Sequence, residues 1–167
     1  MLCEAFEAAK AHAPDITLSV IGDGEDRAWV EDNAARIGGI EVLGYRSQDF
    51  VAETLSQSDV LVLPSFAEGV PVALMEAMVS CRPVIATRVG GVAELVEDGV
   101  SGRMVAPGNA AALADAFIDL AGDPERRRAM GTAGRAKVCA EFDIDTEAVW
   151  LKTLFEGDGG DRLRPAG

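Results

Sequence analysis

Val60-Leu61-Val62-Leu63-Pro64-Ser65-Phe66-Ala67-Glu68-Gly69-Val70-Pro71-Val72-Ala73-Leu74-Met75-Glu76-Ala77-Met78 is the stretch whose reading decides the fold. Four consecutive apolar residues read as a strand buried on both faces. Pro64 stops it, because proline cannot donate to a ladder. Pro71 stands where a first-turn proline belongs and opens a helix to about Ser80. Strand, turn and helix make the first part of a βαβ unit. A helix start offers free backbone N–H groups and the positive end of a dipole, which together suit an anion. Gly69 lets a ligand approach the main chain closely. A carboxylate at Glu68 would repel a phosphate directly beside it, but accepts hydrogen bonds from a polyhydroxyl group next to that phosphate. Helical spacing groups Val72, Met75 and Val79 as a packing face with Glu76 at its margin, where a buried charge needs a partner or a ligand. The structural alternative is that Glu68 complements the helix dipole and Glu76 pairs with an arginine. For two such glutamates taken alone it is the commoner case.

Outward from this stretch, strand and helix patterns alternate. Upstream lie a helix from Leu2 to His12, a buried strand Ile16–Ile21, a helix from Glu25 to Ile37, a strand Ile40–Leu43 ending at Gly44, and a helix capped by Ser47 that runs to about Gln57. Downstream come a strand Pro83–Ala86, the Gly90-Gly91 turn, a short helix Val92–Val96, a strand Met104–Ala106, a helix capped by Asn109 and another opened by Asp123-Pro124. A final helix is expected over Asp143–Phe155. The pattern predicts an α/β fold, a Rossmann-like, mostly parallel sheet flanked by helices. One domain is expected over 1–156, with the polar, Gly-rich 157–167 as a disordered tail. Ligands of such sheets bind beyond the carboxyl ends of the strands. Here those ends are Gly22-Asp23-Gly24, Gly44-Tyr45-Arg46, Ser65 to Val70, and Thr87 to Gly91.

Composition narrows the chemistry. The formal charge of −13, from 28 acidic and 15 basic residues, opposes general nucleic-acid binding and adhesion to anionic lipid. No apolar run approaches the roughly 20 residues of a membrane helix, and Glu4 and Glu7 interrupt the first apolar stretch, so no signal peptide is read. Cys3, Cys81 and Cys139 form no metal-ligand spacing and read as reduced, mostly buried thiols in a cytoplasmic protein. A lone histidine, His12, cannot serve both a Ser–His–Asp site and a metal cluster, and it argues against either. Gly22-x-Gly24-x-x-Arg27 lacks the third glycine of a dinucleotide fingerprint. Arg126, Arg127 and Arg128 read as a solvated helix face.

The string Glu68-Gly-Val-Pro-Val-Ala-Leu-Met-Glu76-Ala-Met resembles the E-x7-E signature of family-4 glycosyltransferases (glycosyl transferases group 1), in the form found in capsule and exopolysaccharide enzymes. The resemblance continues through Arg82-Pro83-Val84-Ile85-Ala86-Thr87, Val89-Gly90-Gly91-Val92-Ala93-Glu94-Leu95-Val96 and Gly99 to Asn109. Upstream it includes Leu18 to Gly24 and Val42-Leu43-Gly44-Tyr45. Cys81 stands where the family usually has glycine.

What the resemblance implies is the C-terminal, donor-binding half of a GT-B enzyme. Glu68 would be the catalytic-site glutamate that holds donor-sugar hydroxyls, and Glu76 would hold the ribose hydroxyls. The amides around Gly69 to Val72, a stretch that includes Val70 and Pro71, would meet the diphosphate or sugar, and Gly44, Tyr45 and Arg46 would lie at the base pocket. The substrate would be a nucleotide-diphospho-sugar. The reaction would be sugar transfer with retention to a sugar or lipid-linked hydroxyl acceptor, in polysaccharide or glycoconjugate synthesis, with no metal and no further cofactor. A cytoplasmic place leaves a peripheral position at the inner membrane open for the intact enzyme. In the family a first strand and an Arg/Lys turn precede the helix that begins here. Neither has a counterpart in this sequence, and Arg27, Arg46 and Arg88 do not stand at those positions. Ile16–Ile21 and Val60–Leu63 are then expected to share no neighbouring strand, and the polypeptide alone is expected to be inactive. The rival readings are a non-catalytic nucleotide-binding or interaction module and a GT-B-fold nucleotide-sugar epimerase, which is not expected to carry E-x7-E.

Overall fold

The computed structural model describes residues 1–142 and residue 152. The helix expected over Asp143–Phe155 (Lys152 apart) and the tail at 157–167 lie outside the described residues. In chain order the elements are α1 (Leu2–Lys10), β1 (Leu18–Ile21), α2 (Arg27–Ile37), β2 (Ile40–Gly44), α3 (Gln48–Gln57), β3 (Leu61–Leu63), α4 (Val72–Val79), β4 (Val84–Thr87), α5 (Val92–Leu95), β5 (Gly102–Val105), α6 (Ala110–Ala121) and α7 (Pro124–Glu141). The expected caps form. Ser47 accepts from the Phe50 amide, Asn109 from Ala112 and Asp123 from Arg126. Pro71 sits just outside α4 as its N-cap, in extended backbone, rather than inside the first turn.

Every strand pair is parallel, but the strands form two sheets, β1-β2 and β3-β4-β5. Among the described residues β1 and β3 share no neighbouring strand. In the larger sheet the two-residue period of strands is easily seen. Val84 and Ala86 of β4 point into a core with Leu74, Ala77 and Met78 of α4, Met104 and Val138. Ile85 and Val105 point to the opposite face, onto Leu113, Ala116 and Leu120 of α6, Ala5 of α1 and Met130. As the middle strand, β4 is buried at all four residues.

Glycines let α7 close one end of this unit. A Cβ on Gly131 would fall 2.0 Å from the Cys81 carbonyl oxygen, and one on Gly134 would touch the Met78 side chain. Cys81 itself has φ 56, the left-handed region, which accounts for the glycine of the family pattern at that place.

The smaller sheet departs from expectation. The strand over 16–21 reads as buried, yet β1 contains no buried residue and neither does α2, where Trp29 is 54% exposed. A two-stranded sheet with one small helix against it has too little apolar surface to enclose its side chains. Its link to the rest includes a paired contact between helices. The Arg36 guanidinium of α2 donates to both Glu7 oxygens of α1, at 2.5 and 2.8 Å. That pairing holds the Glu7 carboxyl below its usual range and raises Arg36.

Two readings of side chains need correction. Only Cys3 is buried, and burial pushes its thiol up. Cys81 and Cys139 are exposed. Arg126–Arg128 is not a uniformly solvated face. Arg126 pairs with Asp119, and Arg127, with 19% of its side chain exposed, donates to the Leu120 and Ala121 carbonyls at the end of α6. The helix end supplies orphan carbonyls that a guanidinium satisfies well. Arg128 remains exposed.

Candidate functional site

Two loops at the carboxyl end of the larger sheet build the site. The first, Pro64 to Pro71, joins β3 to α4. The second, Arg88 to Gly91, joins β4 to α5. They are pressed together through bare backbone. The Gly91 amide donates to the Gly69 carbonyl at 3.0 Å. Gly90 has φ 48, and a Cβ there would lie 1.7 Å from the Glu68 carbonyl oxygen. A Cβ on Gly91 would meet the Gly69 carbonyl at 2.7 Å. The Gly90-Gly91 pair is therefore the seat on which the Glu68-Gly69 turn rests. The Gly69 α-carbon faces the other way, with nothing within 4 Å of an added Cβ.

Side chains fix the turn as well. The Ser65 hydroxyl donates to Glu68 Oε1 at 2.6 Å, and the buried Thr87 hydroxyl donates to the Ser65 carbonyl. Ser65 and Thr87 had no role in the sequence reading. The three-residue spacing from Ser65 to Glu68 is that of a local side-chain turn and was the signal for the first. Thr87 gave none, since threonine is ordinary at a strand end.

The helix entry leaves donors open. No side chain caps α4, and the amides of Gly69, Val70, Val72 and Ala73 donate no hydrogen bond among the described residues. On α4 the buried residues are Leu74, Ala77 and Met78, so the packing face is not the expected Val72, Met75 and Val79. Met75 packs partly against the core, while Val72 is 62% and Val79 39% exposed. Glu76 stands four residues after Val72 and three before Val79, on that same open face. It is exposed, and its side chain makes no ion pair or hydrogen bond among the described residues. The arginine partner of the structural alternative is absent, and no burial penalty demands one. Pro71 is buried and Val70 exposed.

The third group of candidates belongs to the smaller sheet. Gly44 ends β2 with φ 68 and is buried, its carbonyl accepting from the Gly22 amide at 3.0 Å. Tyr45 is 82% exposed, and the Arg46 guanidinium lies 5.2 Å from the Phe50 ring centroid. Beside them, Val20, Asp23, Arg27, Val30 and Val42 are among the residues lining a cleft of about 290 Å³. Arg27 is held there by Asp23 at 3.0 Å and Glu31 at 2.8 Å, and Arg88 is paired with Asp98 at 3.4 Å. Each already has a carboxylate partner. Among the described residues no helix is long and apolar enough to cross a membrane.

Known proteins resemble this chain in sequence and fold. The chain is 36% identical over 143 residues to N-acetyl-alpha-D-glucosaminyl L-malate synthase of Bacillus anthracis, covering 84% of this chain and 37% of that protein. It spans about two fifths of the length of the curated relatives it matches. Sucrose-phosphate synthase from Thermosynechococcus elongatus superposes with a TM-score of 0.81 at 29% identity, over 93% of this chain and 41% of that one. The C-terminal domain of a glycosyl transferase group 1 family protein from Francisella tularensis superposes with a TM-score of 0.77 at 26% identity, over 86% of this chain and 78% of that domain. The structural neighbours are GT-B glycosyltransferases. Residues 1–123 match the family model described as glycosyl transferases group 1, and the chain belongs to that family as a glycosyltransferase domain.

Proposed function

We propose that this domain holds the nucleotide-diphospho-sugar donor of a retaining glycosyltransferase of the family-4 type. The acceptor would be a hydroxyl of a growing polysaccharide or glycoconjugate, as in the exopolysaccharide enzymes that the motif resembles. Glu68 takes the sugar hydroxyls, Glu76 the ribose hydroxyls, and the amides from Gly69 to Val72 the diphosphate or sugar. Gly44, Tyr45 and Arg46 border the base.

The observation that carries this reading is the uncapped start of α4, with open amides, beside a glutamate held by Ser65 and seated on Gly90-Gly91. Free amides at a helix start suit a diphosphate. Ser65 occupies one oxygen of Glu68, which leaves the other to accept from a sugar hydroxyl. An exposed, unpaired Glu76 on the open face of α4 has acceptor capacity to spare. No metal or further cofactor enters this scheme. Amides and basic groups would stabilise the leaving phosphate. On this reading the polypeptide alone is expected to bind nucleotide weakly and not to transfer sugar.

Calorimetric titration of UDP and GDP into the wild type and Glu76→Ala tests the site. The variant is expected to lose whatever binding the wild type has, with unchanged thermal unfolding. Equal affinity in the two proteins makes Glu76 a surface residue only. A labelled-donor assay tests the rest, and robust transfer by these 167 residues alone overturns the proposed inactivity.

A further inference from the structure

The amino-terminal end of the larger sheet, opposite Glu68, carries a second cleft. It has a volume of about 330 Å³, and its charged lining residues are Arg82, Arg127, Arg128 and Asp59. Arg82 precedes β4, Asp59 precedes β3, and Arg127 and Arg128 belong to the first turns of α7. Three arginines and one aspartate thus line this cleft, in a chain whose formal charge is −13. The carboxylate is on the rim, since 76% of the Asp59 side chain is exposed.

The arginines are held but not satisfied. Arg127 is fixed by the Leu120 and Ala121 carbonyls, with Asp59 3.4 Å away. Arg82 donates from one terminal nitrogen to the Ser56 carbonyl, while its Nε is buried with no acceptor. It is the only buried side-chain nitrogen or oxygen without a partner among the described residues. The Arg128 guanidinium has no partner among them either. An orphaned buried N–H is costly, and the Arg82 side chain is held with part of its donor capacity unspent. Guanidinium forks match the oxygens of phosphate groups. Cys81, exposed on its left-handed turn, also lines the cleft and reports on its contents.

We propose that this cleft is a binding site for a multiply charged phosphate-type oxyanion, separate from the donor site and independent of the donor reading. Arg128 and the remaining terminal nitrogen of Arg82 donate to the anion, and Arg127 adds a fixed positive charge.

Two measurements on the same protein test it. Pyrophosphate and inorganic phosphate are titrated calorimetrically at low salt into wild type, Arg128→Ala and Arg82→Lys. The rate of Cys81 alkylation by iodoacetamide is followed by peptide mass spectrometry, with exposed Cys139 as the internal reference. Pyrophosphate is expected to bind saturably and more tightly than phosphate. It should slow Cys81 alkylation several-fold and leave Cys139 unchanged. Arg128→Ala, at an exposed position that carries no fold risk, is expected to weaken binding about tenfold, the loss of one charge-assisted hydrogen bond. Arg82→Lys, which keeps the charge but removes the planar guanidinium fork, should weaken it comparably. No saturable binding overturns the proposal. So does binding that neither protects Cys81 nor responds to Arg128→Ala, which would place the anion at the Glu68–Val72 turn instead.

Discussion

Replacing Gly90 with alanine tests how the candidate site is built. The new Cβ would lie 1.7 Å from the Glu68 carbonyl oxygen, and real Cβ atoms essentially never come within 3.0 Å of such a neighbour. One loop must therefore retreat by more than an ångström. At φ 48 the alanine also occupies the left-handed region, at a cost of roughly 1–2 kcal/mol. Adding the displaced turn, we expect a loss of about 2–3 kcal/mol in stability. For a chain of this size that lowers Tm by about 5–10 °C. A displacement of that size at a site that positions substrate costs about 100-fold in turnover, and in this polypeptide it should remove donor binding. Gly69→Ala is the control. Nothing lies within 4 Å of its added Cβ and its φ is not in the left-handed region, so Tm should stay within about 1 °C. If a ligand does approach that open face, Gly69→Ala should weaken its binding without touching the fold. Thermal unfolding by circular dichroism and titration with a UDP-sugar read both variants. A Gly90→Ala protein with wild-type Tm and affinity would refute the claim that the two turns are mutually seated.

Two further outcomes follow from the geometry. Cys81→Gly should stabilise the chain by about 1 kcal/mol, because glycine adopts φ 56 without the penalty of a side chain, and a lower Tm would show that the cysteine makes a compensating contact. The Glu7 carboxyl, lowered from 4.5 by Arg36, should contribute stability that is present above that value and is lost as pH falls through its folded-state pKa. A carboxyl NMR titration should place the Glu7 midpoint below 4.5 in wild type and near it in Arg36→Ala, whereas identical midpoints would mean that the ion pair does not form in solution.

Residues read most reliably where the chain itself builds the feature. The strand at 61–63, the Ser47, Asn109 and Asp123 caps and the helix following Pro71 depend on neighbours a few positions away, and all are present. The open helix start beside Glu68 was legible for the same reason. Features set by distant contacts were not. The face of α4 that packs is chosen by β4 and α7, which take Leu74, Ala77 and Met78. Apolarity alone could not distinguish these from Val72 and Val79. Nor could it show that β1 lacks burial, because a run of Ile, Leu and Val looks the same whether or not a neighbouring strand covers it. Arg127 looked solvated because nothing local announces the α6 carbonyls that it meets.

The burial pattern has a consequence for how the proposed site works. Glu68 is carried by loops leaving β3 and β4, and β4 is buried throughout. The Glu68-Gly69 turn, locked by Ser65, Thr87 and Gly90-Gly91, is thus tied to the most stable part of the chain. Gly44, Tyr45 and Arg46 leave β2, in a sheet whose partner strand has no buried residue. The sugar end of a donor would meet a preorganised wall, while its base would meet a wall of lower local stability. A ligand that touches both must order the second wall, and the free energy of that ordering is subtracted from its affinity. Any added element that covers β1 and β3 would remove that cost before the ligand arrives. Its effect would appear as tighter nucleotide binding, with no new contact to the nucleotide required.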